Sequence, residues 1–461
     1  MKEQDQQQHT IPDIFANIPA ILGYYPQESL AILLFREELT LNEQILTSHD
    51  PNTQLYTSTL HLDRVLGTDL NNLKNTTQAL KSLPQVIQRY AAQQRLKTPT
   101  SDSTAIALAL IISEQHSPTS DHAQKLVQQL ASNPEHLIEA IYHVPSISTG
   151  ETLTRLYSAN HPASHLTTSI NIPEHAQLTE ITRSKSFQEK FRDHSEIPAI
   201  TREALAGTFY PDSSEDDLAN AHALNDRRGL LAQAIKEHER TIHSVQTAKY
   251  LENQIKQGQE HGKKYKPLQL HRANLLLRHA RMNLQRVENL GLGLKDLSAG
   301  KRDSLIIKTM SMLITSQDRD LIIGPVLEHP NAAMKLFQAV AQQSYLSTDA
   351  QTPVEDYEPL TDTGIPPVRA NALALYAIAA ISADRNDKAL IALSVAEKDH
   401  PSHSLSGLLL NATRQGVPPE EILKVVASGS RETLAELERH AQEGFTENPI
   451  ADPYSDDEVQ F

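Results

Sequence analysis

The sequence predicts an α/β N-terminal domain, with a partly parallel sheet and flanking helices, and a mainly α-helical C-terminal half that contains a tetratricopeptide-like helical pair. The sheet is indicated by short apolar runs that alternate with amphipathic helical patterns up to about residue 210, the order typical of βαβ units. The helical half is indicated by long stripes of apolar residues at helical spacing, and then by alanine-rich segments.

The N-terminal elements begin with a short amphipathic helix that ends at Gly23 and whose apolar residues are Ile14, Ile18, Ile21 and Leu22. The continuous apolar run Ala31–Phe35 is typical of a strand buried on both faces. The other predicted strands are Thr53–Leu62, Ala105–Ile112, Ile138–Val144 and Thr152–Tyr157, the predicted helices are Asn71–Arg95 and Asp121–Ala131, and Ser158–Ile172 is a predicted loop.

The C-terminal half begins with two helical stripes, Leu224–Val245 and Ala273–Val287, which are separated by a polar break and predict an antiparallel hairpin. The helices expected after it are Leu305–Ile314, Ala332–Gln343, Asn371–Ala383, Lys388–Lys398 and Ser404–Arg414, the last stopped by Gly416-Val417-Pro418-Pro419. The predicted organisation is an α/β domain at 11–210, a helical region with a basic hairpin at 211–345, a linker at 346–368, a tetratricopeptide-like unit at 369–440 and an acidic, disordered tail at 441–461.

Composition limits the possible functions. The net charge of -15 disfavours nucleic acid and anionic lipid as general partners. The absence of cysteine excludes disulfides, thiolate nucleophiles and cysteine-ligated zinc. No apolar run approaches the roughly 20 residues that span a bilayer, and the polar N-terminus lacks the apolar region of a signal peptide. We therefore expect a soluble, cytoplasmic protein without a membrane partner.

The turn Gly23-Tyr24-Tyr25-Pro26, which leads to Ser29, is the most informative segment. In one interpretation it is structural: the glycine ends a helix, the proline fixes the turn, and the serine hydroxyl satisfies a backbone group. In a second, Gly23, Tyr24, Tyr25, Pro26 and Ser29 contact a ligand. A nucleophilic Ser29 is disfavoured, because the G-x-S-x-G pattern is missing and the serine precedes its strand.

No pattern for a metal or a cofactor accompanies this turn. The H-E-x-x-H pattern is missing, and Pro162 prevents His161 and His165 from sharing a helix face. The glycine-rich phosphate loops G-x-x-x-x-G-K-[ST] and G-x-G-x-x-G are also missing. We therefore predict no catalytic residues, no metal and no cofactor.

The segment Arg227–Arg286 is basic, with 13 Lys and Arg against 4 Glu, a difference of +9. One interpretation is a helical hairpin that binds nucleic acid or another acidic partner. The other is a solvated helical surface whose charge offsets the acidic remainder of the chain. No nucleic-acid-binding motif accompanies it, which favours the second interpretation.

Four blocks of the sequence resemble the actinobacterial family catalogued as domain of unknown function 4192. They are Ile18-Pro19 through Leu22-Gly23-Tyr24-Tyr25-Pro26-Gln27-Glu28-Ser29-Leu30, Thr201-Arg202-Glu203-Ala204-Leu205 followed by Pro211, Arg319-Asp320, and the alanine-rich helices from Leu373 to Gly416-Val417-Pro418-Pro419. Residues 155–162 lack the tryptophan and paired cysteines that members often carry there. The resemblance implies a soluble bacterial protein, and it implies no particular activity.

The sequence thus favours a non-catalytic protein that binds a protein partner or a small ligand. The alternative is an enzyme or small-molecule sensor with a site near the Gly23-Tyr24-Tyr25-Pro26 turn and Ser29. Nucleic-acid binding through the basic hairpin 227–286 is a weaker alternative. The oligomeric state stays open.

Overall fold

The computed structural model describes residues 10–41, 56–71, 80–92 apart from 82 and 91, 105–132, 138–159, 173–188 apart from 185–186, 198–211, 217–255, 266–346 apart from 291–293 and 295–296, and 366–446. Contacts within the chain divide it into two compact units. Unit 1 comprises Met1–Thr208, Arg385–Ser394 and Leu408–Pro419, and unit 2 comprises Phe209–Asp384, Val395–Gly407 and Glu420–Phe461. The domain boundaries expected from the sequence stay predictions.

Unit 1 contains a six-stranded sheet with the order β2-β1-β3-β4-β5-β6. Strands β3 and β4 are parallel and are joined through a helix, and the other neighbouring strands are antiparallel. This confirms the expected mixed α/β region with a partly parallel sheet. The strands are β1 (Ser29–Leu41), β2 (Tyr56–Asp69), β3 (Ala105–Ile112), β4 (Ile138–Val144), β5 (Thr152–Ser158) and β6 (His175–Gln177).

Strand β1 is longer than its apolar run suggested. The predicted part, Ala31–Phe35, is buried, as expected for a strand covered on both faces. The strand continues through Arg36 to Leu41 because those residues still pair with β2. A continuous apolar run in the sequence shows only which part of a strand is buried, whereas hydrogen bonding to the neighbouring strand determines how long the strand is.

The described helices are, in chain order, α1 (Ile11–Ala16), α2 (Ile18–Leu22), α3 (83–90), α4 (Asp121–Ala131), α5 (Arg202–Gly207), α6 (Asp217–Ile255), α7 (Lys266–Asn289), α8 (Ala299–Ser311), α9 (Ser316–Leu321), α10 (Ile323–Glu328), α11 (Pro330–Gln343), α12 (Val368–Ser382), α13 (Asn386–Asp399), α14 (Ser404–Arg414) and α15 (Pro419–Thr446). The part of the chain after the sheet is mainly helical, as predicted. The loop predicted at 158–172 and the linker predicted at 346–368 lie almost entirely outside the described residues.

Helix α15 was missed, although the sequence carries its signals. Pro419 occupies the first helical turn, and Glu420 and Glu421 follow it, an arrangement that favours the start of a helix. The helix ends at Thr446, inside the segment 441–461, and the acidic tail expected over that segment stays a prediction. Residues 447–461 lie outside the described part of the chain.

The sheet of unit 1 is covered by helices on both faces. Leu30, Ile32 and Leu34 alternate along β1 and pack, with β3 residues, against α3 and α4 in one apolar cluster. Tyr142 follows Ile141, which belongs to this cluster, along β4, so its side chain points to the opposite face of the sheet. There the centroid of its ring lies 5.4 Å from that of Phe15 in α1. The start of β1 thus lies between two covered faces.

Unit 2 contains a buried cation whose charge is fully compensated. Arg369 donates from Nε (3.0 Å) and Nη2 (2.7 Å) to the carboxylate of Asp399, and it also donates to two backbone carbonyls. The rings of Tyr210 and Tyr345 lie 4.9 and 4.7 Å from its guanidinium carbon. Because a buried charge without partners is strongly destabilising, this set of contacts is what allows Arg369 to be buried.

A second buried network in unit 2 contains the Arg319-Asp320 pair. Arg319 donates to Asp320 and to the side-chain oxygen of Asn371 (3.0 Å). His403 accepts at Nδ1 from the backbone of Ser406 and therefore donates from Nε2 to Asn371 at 2.9 Å. Burial lowers the pKa of His403 to about 4, and the charge of Arg319 adds to this effect. The imidazole is consequently neutral at pH 7.

No helix within the described residues is both long enough and apolar enough to cross a membrane.

His403 makes stability depend on pH. Its pKa is lower in the folded chain than the ordinary 6.5, so the neutral ring stabilises the fold above pH 6.5 and this contribution is lost as the pH falls towards 4. We expect the drop in unfolding free energy between pH 7 and pH 5 to be about 1 kcal/mol smaller in His403→Gln. Urea denaturation at both pH values measures it. The exposed control, His279→Gln, should keep the wild-type slope, and an equal slope in all three proteins contradicts the prediction.

Candidate functional site

The turn after α2 depends on a glycine. Gly23 has a φ of +76°, and its N–H closes the helix on the carbonyl of Pro19 at 2.8 Å. A Cβ atom at this position would lie 2.7 Å from Oδ2 of Asp387. A side chain here would therefore be strained by the backbone conformation and would require the carboxylate of Asp387 to move.

The backbone after Gly23 pairs with a distant segment of unit 1. Ala199 donates to the carbonyl of Gly23 at 2.8 Å, and Tyr25 donates to the carbonyl of Ala199 at 2.9 Å. Two residues later, the side chain of Thr201 accepts from the N–H of Ala204 at 3.0 Å and caps α5. These bonds fix the position of Arg202, the first residue of α5.

A second glycine allows another close approach in unit 1. Gly416 ends α14 with a φ of +70°, and a Cβ atom there would lie 2.6 Å from a methyl carbon of Val86 in α3. Beside it, Arg89 of α3 donates to the carbonyl of Gln415 at 2.9 Å. The segment after α14 is therefore held directly against α3.

These approaches surround a cavity of about 260 Å³ within unit 1, called here the unit 1 cavity. Its volume lies just below the range for small-molecule sites, about 300–1,000 Å³. The apolar part of its wall includes Leu30, Ile32, Leu66, Leu83, Val86 and Leu390. The polar part includes Tyr24, Thr68, Arg202, Asp387, Asn411 and Arg414.

Of the predicted ligand contacts, Tyr24 lines this cavity and Gly23 adjoins it through Asp387. Pro26 is buried, and burial raises the pKa of Tyr25. Ser29 is 8% exposed and donates its hydroxyl to the carbonyl of Gln27 at 2.7 Å, as the structural interpretation expects. The ligand-binding role of the five residues stays a prediction.

The other polar groups of the wall come from parts of the chain that sequence reasoning did not connect with the turn. Asp387 lies in α13, and Asn411 and Arg414 lie in α14. Arg202 belongs to one of the resemblance blocks, which was the one available signal. Only the tertiary structure brings these segments to the same cavity.

Glu28, which was not singled out, joins three parts of the sheet. Its Oε2 accepts from the hydroxyl of Ser113 at 2.6 Å, and its Oε1 accepts from the N–H groups of Glu114 (2.9 Å) and Gln115 (3.2 Å). Its carbonyl accepts from Leu70 at 2.7 Å. The φ of Glu28 is +40°, a strained value for a residue other than glycine, and the carboxylate contacts stabilise that conformation.

The same loop after β3 holds a buried histidine from β4. The Nε2 of His143 lies 2.7 Å from the carbonyl of His116, to which it donates, and burial lowers the pKa of His143. A neutral ring in this position ties the loop to the end of β4. The polar groups at the carboxyl ends of the parallel strands are thus bonded to one another.

The described residues do not support a metal site, and they weaken the case for a polyanion site on the basic segment Arg227–Arg286. Among the residues that the structure describes, no group of three or more His, Asp or Glu side chains could hold a metal ion. His161 and His165 lie outside those residues. Within the basic segment, Arg272 pairs with Asp318, and Arg281 pairs with Glu328 at 2.8 Å. These ion pairs favour the interpretation that its charge is offset within the chain.

Comparison with protein families gave one match. The family model described as "Domain of unknown function (DUF4192)" matches residues 12–420. Searches of curated proteins and of solved structures returned no match. The match covers all four blocks of sequence on which the resemblance was based.

Replacing Glu28 should destabilise the fold. Glu28→Gln places an amide NH₂ or a neutral oxygen against three donors, and we expect a loss of about 1–3 kcal/mol in unfolding free energy. Urea denaturation followed by circular dichroism measures this loss. Glu114→Gln is the matched control, because that side chain is exposed, and its effect should stay within about 0.5 kcal/mol. Equal stability of the two variants would show that the three hydrogen bonds to the Glu28 carboxylate do not stabilise the fold.

Gly416→Ala should destabilise unit 1 by more than about 1 kcal/mol, since it adds both backbone strain and a contact with Val86. Replacing Val86 by alanine relieves the contact but leaves the backbone strain at residue 416 unchanged. We therefore expect the effect of Gly416→Ala to be at least about 0.5 kcal/mol smaller in a Val86→Ala background. Additive effects in the double-mutant cycle would show that the two side chains do not compete for space.

Proposed function

The chain belongs to the family of the domain of unknown function DUF4192, and we propose that it binds a small molecule in the unit 1 cavity without transforming it. The proposal rests on the observation that residues from three of the four resemblance blocks line the same cavity. Tyr24 comes from the first resemblance block, Arg202 from the second and Gly416 from the fourth. Segments far apart in sequence that carry the family resemblance therefore enclose a single volume.

The lining of the cavity supports a ligand in this volume. Ligand sites are concave and mostly apolar, and they carry a few polar groups that fix the orientation of the ligand. The unit 1 cavity is a cleft of this kind, with an exposed residue, Asn411, in its wall. The close approaches beside it, at Gly23 and Gly416, depend on glycine.

The absence of a reaction is part of the proposal. The hydroxyl of Ser29 is used by the carbonyl of Gln27, and within the described residues no histidine hydrogen-bonds to it. An enzyme or sensor centred on Ser29 would have to break that bond first. We keep it as the alternative, with Gly23, Tyr24, Tyr25 and Pro26 as the other contacts.

Further parts of the proposal rest on the sequence. They are a tetratricopeptide-like pairing of the alanine-rich helices, which favours a protein partner, an actinobacterial source and a cytoplasmic location. Nucleic-acid binding through the basic hairpin 227–286 is the weakest proposal, because Arg272 and Arg281 already have acidic partners.

The cavity can be blocked from its rim. Asn411 is exposed and lines the cavity, so Asn411→Trp fills the entrance without adding volume to the core. We expect ligand-observed NMR of a fragment library to give hits on the wild-type chain, and the blocked variant to lose at least about tenfold in affinity for them. The chain contains no other Trp, so the indole fluorescence also reports on the site.

Leu408→Trp is the matched control. It adds the same side chain on the same helix, at a residue that is 69% exposed and does not line the cavity. This variant should keep every hit. Hits that persist in Asn411→Trp, or an absence of hits on the wild-type chain, would contradict ligand binding in the cavity.

A further inference from the structure

The charges around the unit 1 cavity identify the class of ligand. Resting on the proposed function, we infer that the ligand is a small amphiphilic monoanion, an apolar body with one carboxylate, and that Arg202 binds the carboxylate.

The apolar body of the ligand is specified by the sheet and by α3. Leu30 and Ile32 from β1 and Leu66 from β2 lie on the same face of the sheet, since Ile32 pairs with Leu66. Leu83 and Val86 line the cavity from α3. A surface of this kind binds hydrocarbon through the hydrophobic effect and offers no hydrogen bonds to a fully polar ligand.

The charged residues in the wall are Arg202, Arg414 and Asp387, which together give a net charge of +1. Asp387 and Arg414 take part in other interactions within the chain. Arg202 is partly buried, and it has no hydrogen bond or ion pair to another described residue. The positive charge of its guanidinium attracts an anion.

The position of Arg202 favours a carboxylate. The backbone pairing of Ala199 with the Gly23 turn and the cap at Thr201 fix the backbone at the start of α5, so only the side chain of Arg202 has to be ordered on binding. The planar guanidinium matches a carboxylate with two parallel hydrogen bonds. One arginine that lacks a partner among the described residues balances one negative charge, and a phosphate monoester would carry nearly two.

The test uses four probes with the same hydrocarbon chain: hexanoate, hexan-1-ol, hexylamine and hexyl phosphate. Each is titrated against the full-length chain by ligand-observed NMR at low ionic strength. We expect hexanoate to bind at least about tenfold more tightly than hexan-1-ol. In Arg202→Gln, hexanoate should fall to the affinity of hexan-1-ol, whose own binding should not change.

Two further variants complete the design. Arg202→Lys keeps the charge but removes the planar group, so it should retain part of the preference for hexanoate. Arg183→Gln removes an exposed arginine of unit 1 that does not line the cavity, and it should leave all affinities unchanged. Thermal unfolding verifies that each variant is folded.

The outcomes separate the inference from the proposed function. If hexan-1-ol binds as tightly as hexanoate, the proposed function stands, but the inference that the ligand is a monoanion is wrong. If hexylamine or hexyl phosphate binds most tightly, the proposed function again stands, and the inferred charge of the ligand is wrong. If no probe binds but fragments bind and are displaced by Asn411→Trp, the inference fails and the proposed function stands. If fragments also fail to bind, both fail.

Discussion

The unit 1 cavity exists because two glycines let distant segments of unit 1 come within contact distance. At Gly23 the backbone turns with a positive φ beside the carboxylate of Asp387, and at Gly416 it does the same beside Val86. A methyl group at either position would overlap with its neighbour. The approach of the segments after α2 and after α14 is thus set by the absence of two side chains, and the cavity is enclosed by these segments, α3 and the sheet.

Buried polar groups elsewhere in the chain show what a structural role looks like. In unit 2, Arg369 has a carboxylate, two carbonyls and two aromatic rings, and Arg319 has Asp320 and Asn371. In unit 1, the carboxylate of Glu28 accepts three hydrogen bonds. Each of these groups is satisfied, as the energetics of burial require. Arg202 differs from them, because it has no hydrogen bond or ion pair to another residue that the structure describes. In our proposal, this leaves its guanidinium available to a ligand.

Sequence patterns predicted the helices and strands of the fold better than the contacts between segments that are distant in sequence. Strands β3 and β4 and helix α4 have the predicted bounds, because each is a periodic or continuous apolar segment between polar residues. The extension of β1 depends on pairing with β2, which no local pattern records. The sequence correctly indicated that Gly23 ends a helix, but its neighbour Asp387 lies more than 350 residues away in sequence. The cavity residues could not be grouped for the same reason.

The most recognisable motif of the chain, the Gly23-Tyr24-Tyr25-Pro26 turn, does not include the residue that we propose binds the carboxylate of the ligand. The Gly23-Tyr24-Tyr25-Pro26 turn contributes a wall, through Tyr24, and a backbone pairing partner for Ala199. The charge that would select the ligand is on Arg202, which that pairing positions. In our proposal the enclosure depends on the glycines and the selectivity depends on the arginine, so the two can vary independently. A relative that retains both glycines but replaces Arg202 would keep the cavity and lose the preference for an anion.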